Sequence, residues 1–337
     1  MHDAHGARSE EHEALGDTLA AELTDVLRLP ALPEVRFLAR GEYSLNYVFE
    51  HGSRALVARL VTGSQIGLGL PEQVRYETHA LELLAPSERT PRVHLAVPEP
   101  QATPYPYLII DYLPGRPLDY RTDLEAAACC VAAIHRLGVP ADHRLQVHAA
   151  AARSLLDEAA ELAAPYLDWE RAPAASIAAL RCMFELAEAS ADAVAPGAFD
   201  LAIVNTDLNS HNFVVSDTRV WLLDWERARI APAAQDLAHF LLPTTTLWRA
   251  DSATRLTPAD ESLFVATYLS ERPELNPERF RKQLAALKAA VALRAVAWCA
   301  WALHATATNN RSISNPETLE CCRMYLEAAF LAELLGD

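Results

Sequence analysis

Strand-forming texture is confined to the first third of this chain and to one brief return after residue 200, and that distribution calls for a small sheet domain followed by a larger helical one. Residues 35–38, 47–50 and 55–60 are β-type runs broken by Gly41 and by Gly52-Ser53, which reads as a three-stranded meander. A short helix over residues 13–27 precedes them. A second helix over 71–84 follows, with Val74, Leu81 and Leu84 at helical spacing behind Pro71. Strand candidates at 93–97 and 107–112 then lead into Leu113-Pro114-Gly115, a turn that reads as a hinge. Beyond Asp123 the chain is Ala-rich and helical in period over 124–137, 155–166 and 176–193. Strand texture returns at 201–204, 213–215 and 220–223, and helix resumes after Ala233. A length of 337 residues is that of two domains or lobes. The boundary is expected between residues 1–112 and 113–337, in an α+β fold with a small antiparallel-sheet N-lobe and a mainly helical C-lobe.

Charge removes several function classes. Asp and Glu number 45 against 29 Lys and Arg, a formal charge of −16, so a basic grip on nucleic acid is not expected. The lysines are Lys282 and Lys288 alone, which means that a catalytic cation in the first lobe must be Arg or His. The first 17 residues hold no apolar run of the secretory kind, so a cytoplasmic protein is expected. The apolar stretch 289–305 is interrupted by Arg294 and carries His304, which favours a buried helix over a membrane span. Cys129, Cys130, Cys182, Cys299, Cys321 and Cys322 show no C-x-x-C spacing and read as buried, reduced thiols.

The chemistry concentrates between residues 203 and 226. There Asn205-Thr206-Asp207 and Asn212 lie in a loop after one short strand, and Asp224-Trp225-Glu226 follow the return strand. A carboxylate and an amide five residues apart in one loop, faced by a second carboxylate, suit phosphoryl transfer: one acid orients the hydroxyl nucleophile, and oxygen ligands hold Mg²⁺ against nucleotide phosphates.

This segment resembles the catalytic loop and metal-binding strand of aminoglycoside phosphotransferases and choline-kinase-like enzymes, which share the protein-kinase fold. The resemblance runs from about residue 38 to 240. It implies Asp207 as catalytic base, Asn212 and Asp224 as magnesium ligands, and Asp236 as the structural acid that braces the loop. It further implies Arg59, at the end of the third strand, on the α/β-phosphates and paired with Glu77 of the following helix, and the Ser44 hydroxyl with the hairpin around Gly41 over the phosphates. The carbonyl of Asp111 and the amide of Leu113 would contact the base, with Val57 and Ile110 covering it. Two departures stand out: Asn205-Thr206-Asp207 replaces the usual His-Gly-Asp, and Arg59 replaces a lysine.

The activity so implied is Mg²⁺-dependent transfer of the γ-phosphoryl group of ATP or GTP to a hydroxyl of a small-molecule alcohol, with no nucleic-acid or membrane partner. The alternative is a nucleotide-binding pseudokinase acting as an interaction module. A protein kinase is disfavoured because Trp225-Glu226 follows Asp224 where Phe-Gly would stand, and no G-x-S-x-G elbow marks a hydrolase. Three features stay open to two readings each. His211 contacts phosphate or acceptor, or is simply exposed. Glu226 orients metal-bound water, or pairs with Arg227 or Arg229. Trp298 and Trp301, with Trp248, cage a cation or are core. The acceptor is expected to be a polar metabolite held by hydroxyls of the loop 244–249, by Arg249 and by one Trp face.

Overall fold

The computed structural model describes residues 2–192, 199–308, 313 and 316–335. The chain divides into two compact units: Met1–Arg116 with Val214–Ala228, and Pro117–Phe213 with Arg229–Asp337. The division thus falls four residues after the expected boundary at 112, and the stretch 214–228, expected in the C-lobe, packs with the first unit.

The first unit opens with α1 (His2–Leu27), followed by β1 (Val35–Arg40), β2 (Ser44–His51), β3 (Arg54–Val61), α2 (Leu70–Leu84), β4 (Val93–Val97) and β5 (Tyr107–Asp111). These strands form one antiparallel sheet in the order β1-β2-β3-β5-β4. Alternation along the strands assigns its two faces. Leu45, Tyr47 and Phe49 of β2 and Leu56, Ala58 and Leu60 of β3 share a buried cluster with Leu19 and Leu23 of α1, so this helix is a lid on the apolar face. The Glu22 carboxylate ties α1 down by accepting the backbone N–H groups of Gln101, Ala102 and Thr103 at 2.9, 3.1 and 2.7 Å. The opposite face presents Ser44 and Asn46 from β2 and Val57 and Arg59 from β3, since Asn46 is the register partner of Arg59. Val57 is the partner of Ile110, so the two residues expected to cover a base lie side by side on that face.

In the second unit α3 (Leu124–His135) leads to the short β6 (Gln146–Val147), α4 (Ala151–Leu167), α5 (Ala174–Asp192) and β7 (Leu201–Val204). The expected last residue of α5, 193, lies outside the described residues. The chain then crosses to the first unit through the hairpin of β8 (Phe213–Val215) and β9 (Val220–Leu222). It returns in β10 (Arg229–Pro232), which runs antiparallel to β7 and parallel to β6. Neither β6 nor β10 was expected: one has two residues, and the other ends at a proline with no alternation to betray it. The remainder is helical: α6 (Ala233–Leu241), α7 (Pro243–Thr246), α8 (Pro258–Ser270), α9 (Pro277–Ala307), α10 (Pro316–Tyr325) and α11 (Ala328–Leu335).

Local chemistry starts the longer helices. Thr257 and Asp260 make a reciprocal capping box ahead of α8, and the Asn276 side chain accepts the Arg279 N–H ahead of α9, each with Pro at the first helical position. Helix α9 is long and apolar enough to cross a membrane by composition, but 56% of its most apolar window is buried within the fold, and it packs on α4, α5 and α6. The cysteines depart from expectation in part. Cys130, Cys299 and Cys322 are buried free thiols, Cys129 and Cys321 are half-buried, and Cys182 on α5 is exposed.

Candidate active site

The loop after β7 is held by one buried carboxylate. Asp236, in the first turn of α6 and fully buried, accepts the backbone N–H groups of Asn205 and Thr206, both at 2.8 Å, and faces His135 Nε2 at 3.2 Å. His135 continues to the Tyr268 hydroxyl at 3.0 Å. Asn205, also fully buried, fixes the next residue by accepting the Asp207 N–H on its Oδ1 at 3.0 Å. An amide thereby does the tethering expected of the usual histidine. The middle residue is the strained one: Thr206 has φ +72°, a backbone region that β-branched side chains rarely enter.

Asp207 and Asn212 then meet across the loop. The Asn212 Nδ2 group donates to the Asp207 backbone carbonyl at 2.7 Å and to its Oδ2 at 3.2 Å. This leaves the two side chains oriented together at the end of a buried strand, with the Asp207 side chain 45% exposed. Between them the 3-10 turn Ser210–Asn212 starts at Asn209, whose Oδ1 accepts the His211 N–H at 3.0 Å. His211 turns to Asp251, Nε2 to Oδ1 3.1 Å; burial raises the Asp251 carboxyl, but the His211 hydrogen bond and charge, with Ser252 and Arg249, together carry it below its ordinary value.

The first unit carries a second, denser cluster centred on Arg59. Its guanidinium is buried and donates to the Ser44 hydroxyl at 2.8 Å, lies 3.0 Å from Glu77 Oε1, and puts Nη2 2.7 Å from Asp224 Oδ1 and 3.1 Å from Glu226 Oε2. Gln65 Nε2 donates to the other Glu226 oxygen at 2.9 Å, and Gln73 Nε2 to the Glu226 backbone carbonyl at 2.8 Å. Burial opposes the charge on Arg59, but Asp224, Glu77 and Glu226 together hold its pKa above the ordinary value. Burial pushes the Glu77 carboxyl up against the pull of Arg59. Glu226 is pushed up to about 8, by burial first and by the neighbouring Asp224 charge second. Asp224 is held at φ +57°, so a second non-glycine residue in the left-handed region marks the site.

Comparison with known proteins identifies the family. A family model described as the phosphotransferase enzyme family, APH, matches residues 34–277. This chain belongs to the APH phosphotransferase family. A search of curated protein sequences gave no match. Among solved structures, a choline/ethanolamine kinase family protein from Mesorhizobium loti superposes with a TM-score of 0.62 at 18% identity, over 96% of this chain and 100% of that one. Spectinomycin phosphotransferase, solved with ADP and spectinomycin, gives 0.63 at 13% identity over 89% and 91%. An ethanolamine kinase from Plasmodium vivax gives 0.62 at 12% identity over 93% and 86%. At these identities the likeness establishes the protein-kinase-like fold.

Within the APH fold the remaining sequence-derived residues are placed as follows. Arg59 and Glu77 form the expected ion pair. Ser44 is buried against Arg59 at the base of the β1–β2 hairpin rather than presented at its tip, where Gly41 N–H closes the turn on the Ser44 carbonyl at 2.9 Å. The Asp111 side chain is engaged locally, by the Arg92 N–H at 3.0 Å and His94 Nε2 at 2.6 Å, and the next residue, Tyr112, donates its N–H to the Ala55 carbonyl before the chain reaches Leu113. Glu226 pairs with Arg59, a partner not among the two expected.

The stretch expected to be a loop at 244–249 begins as the short helix α7, with Thr244, Thr245 and Thr246 all buried, so their hydroxyls face inward. The Trp298 ring lies 6.3 Å from Trp301 and edge-on to Trp248 at 5.8 Å, and Trp248 reaches Tyr325 at 5.8 Å. His239 was not among the residues expected from sequence: its Nε2 lies 3.7 Å from Asp207 Oδ1. The signal available was its place three residues after Asp236, one helical turn along the face that already braces the loop.

Proposed function

We propose that this protein moves the γ-phosphoryl group of ATP or GTP, as its magnesium complex, onto a hydroxyl of a small polar metabolite in the cytoplasm. The observation that carries the reading is the Asp207–Asn212 pair, locked together at 2.7 and 3.2 Å on a loop that Asp236 fixes from below. A carboxylate so oriented and so accessible suits a base that accepts the hydroxyl proton. Asn212 and Asp224 offer the hard oxygen donors that magnesium takes, and magnesium completes its shell with water and phosphate oxygens rather than needing an all-protein cage. When bound, the metal would neutralise charge developing on the phosphates.

Arg59 supplies the cation for the α/β-phosphates, and the Asp111 carbonyl, the Leu113 amide and the Val57–Ile110 pair serve the base. Arg249 is the side chain for the acceptor, because its Nε is buried and has no hydrogen-bond partner among the described residues. One observation favours the second reading, a nucleotide-binding pseudokinase that acts as an interaction module: Asp224 is already bonded to Arg59 at 2.7 Å.

The two readings part on mutation. With Asp207→Ala, transfer falls by about 10²- to 10⁴-fold while calorimetric nucleotide affinity is kept. Asp224→Ala loses affinity for the magnesium complex as well. A wild-type protein that binds nucleotide without turnover, or an Asp207→Ala variant with normal turnover, removes the proposal.

A further inference from the structure

The Asp207 carboxylate has a neighbour that the phosphotransfer reading does not use. His239 sits on α6 one turn beyond Asp236, half-buried, with Nε2 at 3.7 Å from Asp207 Oδ1. Its other nitrogen, Nδ1, lies 3.3 Å from the Leu208 carbonyl and 3.3 Å from the Thr245 hydroxyl. A carbonyl oxygen only accepts, so the contact with Leu208 keeps a proton on Nδ1. The neutral ring then turns a bare Nε2 lone pair toward the carboxylate, at a separation too long for a hydrogen bond. An imidazole with an acceptor at each end is one proton short of satisfying both.

The charged groups that face the ring come from three directions: Asp207 on the loop, Asp236 on its own helix, and Arg294 on α9, itself bonded to Glu158 at 2.7 Å. Burial is the largest influence and lowers the pKa of His239 below the ordinary histidine value, while Asp207 and Asp236 pull it back up and Arg294 opposes them. The ring therefore rests neutral near pH 7, beside the group that is to collect a proton.

From this geometry we infer that His239 is a positioning residue for the reaction, placed to take over the proton that Asp207 removes from the acceptor hydroxyl. The inference rests on the reading of Asp207 as the base. In the transfer the acceptor O–H bond breaks as its oxygen bonds to the γ-phosphorus. The bond from that phosphorus to the bridging oxygen breaks, and its electron pair stays on the nucleoside diphosphate. The proton passes to Asp207 Oδ1 and on to His239 Nε2, which closes the 3.7 Å gap to a charge-assisted hydrogen bond and restores the carboxylate. The imidazolium, disfavoured by burial, then gives the proton to solvent before the next turnover.

The test has one arm that needs no turnover. In full-length protein with labelled histidines, the NMR signal of His239 is assigned by its loss in His239→Gln. The ring is expected as the Nδ1–H tautomer at pH 7 with a midpoint below that of an ordinary histidine, moving lower still in Asp207→Asn because a charge that raises it is gone. An Nε2–H tautomer, or a midpoint indifferent to Asp207→Asn, overturns the inference.

The second arm follows phosphate release from magnesium-ATP, with water as the acceptor, against pH. Wild-type kcat falls as pH drops through the His239 midpoint, because a ring already protonated takes no further proton. His239→Gln lowers kcat about 10-fold or more, leaves the nucleotide KM within about twofold, and loses that acidic limb. A His239→Gln variant that keeps the wild-type pH profile reduces the residue to packing. If the wild-type protein releases no phosphate, the phosphotransfer reading fails, while the NMR arm still decides whether His239 is built to serve Asp207.

Discussion

Thr206 is held in a backbone conformation that its side chain resists, with a measurable consequence. Thr206 stands at φ +72° where the family carries glycine, and its Oγ1 is buried without a hydrogen-bond partner among the described residues. A β-branched residue in that region costs about 1–2 kcal/mol, and replacing it with glycine returns part of this to the unfolded chain as entropy. Thr206→Gly is therefore expected to raise stability by about 1 kcal/mol, read as a higher urea midpoint at unchanged slope. A lower midpoint would show that the threonine packs better than its strain costs. Arg59 makes the opposite case, because it neutralises three carboxylates in a buried setting. Arg59→Ala strands Glu77 and Glu226 and should cost about 3–5 kcal/mol, besides raising the nucleotide KM and lowering kcat. Arg59→Lys keeps the charge but not the fork that reaches Ser44, Glu77 and Asp224 together, so intermediate stability is expected. Equal melting of Arg59→Ala and wild type would mean that the cluster is held by its glutamines.

At the scale of elements, the segment 214–228 belongs with the sheet unit for a reason visible at one glycine. A Cβ on Gly115 would meet the Val215 carbonyl at 2.6 Å and Val214 Cγ1 at 2.7 Å, while the Arg116 and Val215 backbones exchange hydrogen bonds at 3.0 and 2.8 Å. Gly115→Ala must push β8 away and should destabilise by about 1–3 kcal/mol, checked by thermal melting against Pro114→Ala as a neighbouring control. Sequence reading recovered the elements whose pattern is local. The five strands, α2 and the return strands all announce themselves by alternation, helical spacing or flanking glycine and proline. It missed β10, a short run ordered by its pairing with β7, and β6, ordered in turn by its pairing with β10, and it missed the helical start of the stretch at 243. The site shows the same division. Asp207, Asn212, Asp224 and Asp236 lie on legible motifs, and Arg59 followed from its place at the end of the third strand, matched to the kinase-like arrangement. The bond from Arg59 to Asp224 joins residues 165 apart and has no spacing to read, whereas His239 carried one local signal, its place three residues after Asp236 on α6.

For the whole molecule, the APH family match over residues 34–277 and the kinase-like neighbours fix the class of chemistry as phosphotransfer. Magnesium-ATP should raise the melting temperature of the full chain through binding to the folded state, by an amount that grows with the logarithm of its concentration, and Asp224→Ala should weaken that response. The account turns on Asp207 acting as the base of a working phosphotransferase. The most direct measurement is transfer of label from γ-labelled ATP and GTP, with magnesium, to a pool of small hydroxylated metabolites, run in parallel with wild type and Asp207→Ala. The account predicts a labelled small-molecule product from the wild-type protein and none above background from Asp207→Ala at equal nucleotide occupancy. Equal labelling by both proteins, or no labelled product from a wild-type protein saturated with nucleotide, would contradict it.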